Sequence, residues 1–494
     1  MVLMNRSKAH PFSRSISGSD FLQLDIGDAP AGGMSGWLAG QLRLAISDGR
    51  LPVGSRLPAT RVLAGELGVC RGVVTEAYRR LIEDGQAAGH GRGGTMVMAA
   101  PVVARQPAPA SAPAPGAVFA AGPGPAAFDS LRAAPARIDL SPGVPDLAAF
   151  PRTAWLRAER SVLGQLSPAD FRYGDPRGAT AFRQAVANWL ARFRGIRAGP
   201  DEVIIVAGVA QALGLLARVL RSDGIRQVAV EDPGSPGTRQ QLESWQLDTR
   251  PVPVDASGLR VGDLRASGAP AALLTPAHQF PTGVVLDGQR RRELLRWAGD
   301  GGLIIEDDYD AEHRYDRPPV PALRSLLAEQ VCYTGSVSKL LAPALRVGWI
   351  LPPRRYADAI ATAKRDADLG NALLPQLILG ELMESGSLER QLRLVRRRHR
   401  RRRDAMIDAA RTHLPSARVH GAAAGLHLMI TLDAALADTD LAAGSLARGV
   451  KVHPLSWHSL RRQPPGLVLG YAASTVSEIN EGVATLGSVV RRLL

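Results

Sequence analysis

Residues 303–351 twice run an apolar, β-branched stretch into polar side chains, and this repetition restricts the folds open to the chain. Leu303-Ile304-Ile305 empties into Glu306-Asp307-Asp308-Tyr309, and residues 331–334 empty into Gly335-Ser336-Val337-Ser338-Lys339. Short apolar runs of this kind read as buried strands, and parallel sheets gather ligands at the carboxyl ends of their strands. A lysine delivered there is costly unless it is neutral, paired or covalently used. Residues 203–206, 228–230, 271–274 and 347–351 are further runs of the same type. They alternate with helical patterns such as 210–221 and 289–298, so the expectation is an α/β domain with a mostly parallel sheet. In it, the strand-to-helix turn Ala207-Gly208-Val209-Ala210-Gln211 offers backbone N–H groups to a phosphate.

In this order these parts resemble the fold-type-I, aspartate-aminotransferase-like enzymes that use pyridoxal 5′-phosphate. The resemblance implies Lys339 as the amine of the Schiff base, Asp307 as the anion beside the pyridine nitrogen, and Tyr309 as the phenol near O3′. Ser336, Ser338 and Arg346 (in LRVGW) join Gly208, Val209 and Ala210 as candidates to hold the phosphate. In that family the Gly143 region of IDLSPGVPDLAAFP shapes the substrate entrance. The Tyr173 position, in FRYGDPRG, reaches the phosphate of the partner subunit's cofactor, which implies a homodimer with shared sites. LLTPAHQFPTG, residues 273–283, matches the family's NPTG region, with Phe280 at the usual asparagine and His278 a further candidate cofactor neighbour. From about residue 395 onward the chain resembles the small α+β subdomain of the same fold.

The length, 494 residues, calls for two or three domains. At 45% hydrophobic and 21% charged the composition is that of a soluble globular protein, with no run near the ~18 apolar residues of a membrane span. A formal charge of +14 favours a polyanionic partner. Cys70 and Cys332 suggest neither a disulfide framework nor a zinc site, and a reducing cytoplasm is the expected compartment.

Residues 34–98 read differently: GWLAGQLRLAISDGRLPVGSRLPATRVLAGELGVCRGVVTEAYRRLIEDGQAAGHGRGGTMVM. Trp37, Leu38, Leu42, Leu44, Ala45 and Ile46 form an apolar face at helical spacing, ended by Gly49. Thr60 is a candidate N-cap for a helix through Leu67, a tight turn follows, and a longer helix runs from about Arg71 to Asp84. Two extended pieces flank the turn His90-Gly91-Arg92-Gly93-Gly94. Helix, short turn, helix and basic hairpin make a winged helix-turn-helix. The wording is similar to the GntR family, which implies DNA contacts by Arg61, Arg71, Gly72, Thr75 and the wing tip His90, Gly91 and Arg92. Cys70 stands where serine or threonine usually caps the recognition helix. Glu76 is read as a solvated or packing position.

Residues 1–33 are expected to be a disordered or helical lead. Residues 99–137, rich in proline and alanine, read as a semi-rigid spacer, partly polyproline II. Residues 138–494 make the aminotransferase-like domain. HQFPTG together with EDDYD and an upstream GntR module is the wording of the MocR family of regulators. The expected function is therefore DNA-binding transcription regulation, by a domain that binds pyridoxal phosphate and senses an effector, either the cofactor or an amino acid. The alternative is a working aminotransferase with an appended DNA reader; a cofactor-free dimerisation scaffold conflicts with the intact Asp307, Tyr309, Lys339 and Arg346. Transaminases of this fold clamp the substrate carboxylate with an arginine where this chain has Val468. MocR-like chains place a ring-stacking aromatic where it has Ser235. Those two substitutions favour the regulator, although Arg461 or Arg462 is a possible displaced anchor. His313 is expected to be a packed histidine, and the arginine run 396–403 to serve structure more than direct DNA contact.

Overall fold

The structure, a computed structural model, describes residues 24, 29–30, 33–89, 94–98, 115–120, 122–310, 312–315, 320–433 and 435–494. The chain divides into two compact units, residues 1–111 and 112–494.

In the first unit, helix Met34–Ser47 buries Leu38, Ala39, Leu42, Ala45 and Ile46, while Leu44 turns outward at 53% exposure. The helices Thr60–Glu66 and Arg71–Glu83 pack on it around Leu63, Val74, Ala77, Tyr78 and Leu81. The strands Ala87–Gly89 and Thr95–Val97 pair antiparallel as the wing. Thr60 does not cap its helix: Ala59 holds the N-cap position, and the Thr60 hydroxyl instead accepts from Arg71 Nε at 3.3 Å. Cys70 is an N-cap without a side-chain bond, as its weak acceptor sulfur predicts. Glu76 pairs with Arg79 and Arg80, a helix-surface role. The wing-tip residues His90, Gly91 and Arg92 and most of the 1–33 lead lie outside the described residues.

The second unit is built on an eight-stranded sheet. Its order is Ile204–Val206, Gly348–Leu351, Val331–Ser336, Leu303–Asp308, Ala271–Leu274, Gln227–Asp232, Asp248–Asp255, Gly258–Leu259. Gly348–Leu351 runs antiparallel to both of its neighbours, and the strands from Val331–Ser336 through Asp248–Asp255 are parallel. Both faces are covered, so consecutive strand residues enter different cores: Ile304 packs with Val331, Leu294 and Trp297, whereas Ile305 packs with Leu213, Leu216 and Val230. The small subdomain is a four-stranded antiparallel sheet ordered Ala417–His420, His427–Leu432, Gly466–Gly470, His453–Pro454. Helices Ser387–His413, Asp438–Leu446 and Val476–Leu493 support it. Among the described residues no helix is long and apolar enough to cross a membrane.

The spacer reading of residues 99–137 needs correction in its second part. Pro115–Ala120 and Pro125–Ala133 are helices, and Phe119, tilted, and Phe128, edge-on, pack against Trp457 with ring centroids 5.2 and 5.1 Å away. Alanine, the best helix former, dominates these segments, and proline falls at the first turn where its missing N–H costs nothing. Burial of Val118, Phe119, Ala127 and Leu131 in the small-subdomain core supplies the rest.

Candidate functional site

The strand Leu303–Asp308 sends alternate side chains to opposite sides, and that alternation separates a structural pair of carboxylates from a functional one. Glu306 accepts from the backbone N–H groups of Leu323 and Arg324 at 2.9 and 3.1 Å. Asp308 Oδ2 accepts from Arg194 Nε at 2.5 Å and from the Tyr333 hydroxyl at 2.6 Å. Burial alone would lower the Arg194 pKa; Asp308, Glu306 and Glu312 override that and raise it. Asp307 and Tyr309 point the other way. Oδ1 of Asp307 is buried without a hydrogen-bond partner. Desolvation, with Asp308 and Asp310 adding like charge, pushes its carboxyl up to about 7. A buried acceptor left open in this way is a place for a cationic donor.

Lys339 follows the adjacent strand Val331–Ser336, in which Thr334 pairs with Asp307. Its Nζ donates to the Gly143 carbonyl at 2.5 Å. Gly143 has φ +80°, which favours glycine, and a Cβ on it would stand 3.2 Å from that nitrogen. Burial lowers the Lys339 pKa, with Asp310 and Asp307 opposing it. His313 is fully buried, as a packed residue should be, and its Nε2 donates to the Lys339 carbonyl at 3.1 Å.

The strand-to-helix turn at Gly208 opens helix Val209–Ser222, which places Val209 and Ala210 in its first turn. Gly208 has φ +82°, and a Cβ on it would lie 3.1 Å from both terminal nitrogens of Arg346. Arg346, itself left-handed at φ 52°, donates to the Ala207 carbonyl. Ser336 Cβ and Gly208 Cα both come close to Gly348, at 3.1 Å from a Cβ built there. The Ser338 N–H donates to Ser336 Oγ at 3.4 Å. Fully buried Lys364, which sequence reasoning missed, braces the loop by bonding Gln211 Oε1, and that oxygen also accepts from Ala207 N–H. His278 is 1% exposed beside Tyr309, and Tyr173 is 89% exposed, away from these residues.

Val468 is fully buried in an apolar cluster with Met429, Leu455 and Phe280. Its strand neighbours are Met429 and His453, so no cation stands beside it in the sheet. Ser235 caps helix Pro236–Ser244 by accepting from Thr238 N–H. Arg461 and Arg462 are exposed. In the arginine run, Arg398 and Arg402 pair with buried Asp146, Arg396 donates to the Glu312 carbonyl, and Arg403 lies over the Tyr315 ring. Arg393, Arg397, Arg400 and Arg401 face outward on the same helix.

In the first unit Arg61, Arg71, Gly72 and Thr75 are all exposed. Arg71, Gly72 and Thr75 share the outward face of the recognition helix's first two turns, opposite buried Val74 and Tyr78.

Comparison with known proteins agrees with both halves. The family "Aminotransferase class I and II" matches residues 136–486, and "Bacterial regulatory proteins, gntR family" matches residues 37–97. Among solved structures, the α-aminoadipate aminotransferase LysN of Thermus thermophilus, complexed with N-(5′-phosphopyridoxyl)-L-leucine, superposes with TM-score 0.67 at 25% identity. That match covers 77% of this chain and 97% of LysN. Fold and site thus define a fold-type-I aminotransferase-like domain joined to a winged helix-turn-helix. Similar along nearly their whole length are the probable rhizopine catabolism regulatory protein MocR of Rhizobium meliloti and the pyridoxine biosynthesis transcriptional regulator PdxR of Corynebacterium glutamicum. The first is 32% identical, covering 91% of this chain and 92% of the relative; the second is 30% identical, covering 92% and 95%. The chain belongs to the MocR family of regulators, as its HQFPTG and EDDYD wording implied.

Proposed function

We propose that this chain is a DNA-binding transcription regulator whose aminotransferase-like domain holds pyridoxal 5′-phosphate and signals its occupancy to the DNA reader. The carrying observation is the open, buried Oδ1 of Asp307 in a site that also holds Lys339, beside a carboxylate-anchor position occupied by buried Val468. The residues fit the cofactor. When bound, it supplies an aldehyde for an amine and a ring that withdraws electrons while its nitrogen stays protonated. Asp307 holds the proton at that nitrogen, and the pairing removes the burial cost its carboxylate otherwise bears. Lys339 provides the tethering amine. Arg346, Ser336, Ser338 and the N–H groups of Gly208, Val209 and Ala210 receive the phosphate. Tyr309 and His278 border the ring's hydroxyl side. Tyr173 serves the site of a second copy, so the working species is a homodimer in the cytoplasm.

An amino acid arriving at this site meets Val468, Met429 and Phe280 where a transaminase offers a bidentate arginine, so it loses its main charge-assisted anchor. Turnover is therefore subordinate to sensing. Lys339→Ala is expected to abolish the visible absorbance band that wild-type protein develops on titration with pyridoxal phosphate, leaving the unfolding transition in place. A borohydride-reducible adduct persisting in that variant would move the tether to another lysine.

On the DNA side, Arg61, Arg71, Gly72 and Thr75, with the wing tip His90–Arg92, contact the duplex. Arg71→Ala is expected to cost about 1–3 kcal/mol of specific promoter binding if its contact is bidentate to a base. Fluorescence anisotropy with promoter and scrambled duplexes checks this. An equal loss on both would make Arg71 a phosphate contact, and no loss would remove the recognition-helix assignment.

A further inference from the structure

Asp310 closes the turn after strand Leu303–Asp308, and none of the roles above uses it. Its side chain is 1% exposed, and Oδ2 lies 2.8 Å from His278 Nδ1. The same Nδ1 is 3.0 Å from the Tyr309 hydroxyl oxygen. Two polar groups thus converge on one ring nitrogen, and the position of its proton decides what each of them does.

A carboxylate only accepts, so contact with Asp310 calls for a proton on His278 Nδ1. The other ring nitrogen agrees. Nε2 is buried without a partner, facing Gly283, where a Cβ would stand 3.0 Å away. An unpaired buried acceptor is tolerated better than an unpaired buried N–H, so the tautomer with a bare Nε2 is the cheaper one. Shared between Asp310 and the Tyr309 oxygen, the Nδ1–H makes that oxygen an acceptor, so the tyrosine's own proton is turned away from His278 and is divided between Asp310 and any stronger acceptor that enters the site. The backbone closes over this pair: at Gly425, φ +89°, a Cβ would stand 2.1 Å from His278 Cε1 and 2.9 Å from Asp310 Oδ2. Lys339, Asp307, His313, Tyr315, His427 and Tyr471 are charged or titratable groups nearby that also feel Asp310 or His278.

Resting on the reading that Lys339 tethers pyridoxal phosphate, we infer that Asp310 is a positioning residue that locks His278 as its Nδ1–H tautomer and thereby makes Tyr309 a proton donor into the cofactor site. This resembles the service a buried aspartate gives a histidine in hydrolase triads, where it sets tautomer and orientation. Here the beneficiary is a phenol. An acceptor on the cofactor's phenolic side would gain a donor that the apolar Phe280 ring cannot supply.

Two measurements test it. In full-length protein labelled with 15N-histidine and free of cofactor, the His278 ring should show a protonated Nδ1, and Asp310→Asn should shift it to Nε2–H or to a mixture. Separately, Asp310→Asn and Tyr309→Phe should each weaken pyridoxal phosphate binding about tenfold, the size of one lost charge-assisted bond. The double variant should bind about as weakly as either single one. An unchanged tautomer, or additive losses near a hundredfold, overturns the inference while leaving the cofactor reading intact. Wild-type protein that develops no visible band removes both. Should Asp310→Asn fail to fold, His278→Gln takes its place in the binding cycle, with the same coupling to Tyr309→Phe expected.

Discussion

Arg194→Met is expected to destabilise the 112–494 unit by about 3–5 kcal/mol, the cost of leaving a buried charge without its partner. Arg194 and Asp308 have side chains 1% and 2% exposed and meet at 2.5 Å. Asp308 would retain only the Tyr333 hydroxyl, at 2.6 Å. Adding Asp308→Leu should recover most of the loss, because replacing both members of a buried ion pair by apolar groups is often close to neutral. Urea unfolding of the single and double variants gives the comparison. A loss below about 1 kcal/mol in the single variant would mean that the pair does not hold the strand, and the double variant serves to separate lost pairing from lost packing. The effect bears on function through geometry: Asp308 is the immediate neighbour of Asp307, so a strand that relaxes at one moves the other.

That ion pair also shows where sequence reading stops. The apolar runs at 203–206, 271–274 and 331–333 placed their strands because burial on both faces of a parallel sheet leaves a continuous hydrophobic signal. An acidic turn and Lys339 stood out because each ends such a run with a chemistry that needs an explanation there, and the family resemblance, not the run itself, singled out Asp307 and Tyr309. Nothing in Glu306-Asp307-Asp308 says which carboxylate faces the site; only the strand's period of two, once its register is known, sends Asp308 to Arg194 and Asp307 to the open side. Arg194 stands far away in sequence at the end of helix Thr180–Arg194, with no local mark of its partner. The helices Pro115–Ala120 and Pro125–Ala133 were hidden for a different reason. Their composition is that of a spacer, and their few large residues, among them Phe119 and Phe128, gain meaning only against Trp457. Asp310 was passed over because a carboxylate in an acidic turn has a bland solvated reading, and its burial against His278 depends on Gly425.

If cofactor occupancy is signalled as proposed, these two helices stand among the contacts it would use. They are the first described elements of the second unit after the proline- and alanine-rich stretch. Phe119 and Phe128 hold Trp457, and Phe128 also meets His458 edge-on at 6.4 Å. The His458 carbonyl accepts from Gly234 N–H at 2.8 Å and from Arg239 at 3.4 Å, on either side of Ser235. The His458 ring in turn packs against Phe280, which meets Tyr309 edge-on at 6.2 Å. A change at the ring site thus has few contacts to cross before it reaches the point where the chain enters this unit. Pyridoxal phosphate is accordingly expected to change promoter affinity about 5–150-fold, a coupling of about 1–3 kcal/mol, and DNA must alter cofactor affinity by the same factor. The change arises only if the bound form favours one arrangement of the DNA readers, since a ligand with equal affinity for both states shifts nothing. Promoter titrations with and without pyridoxal phosphate measure one side of the cycle, and cofactor titrations with and without promoter measure the other. A transamination assay over amino acids and 2-oxo acids runs beside them. Equal DNA affinity in both states together with rapid multiple turnover would make the chain an aminotransferase carrying a DNA-binding module, and Val468 would then require a carboxylate anchor from elsewhere.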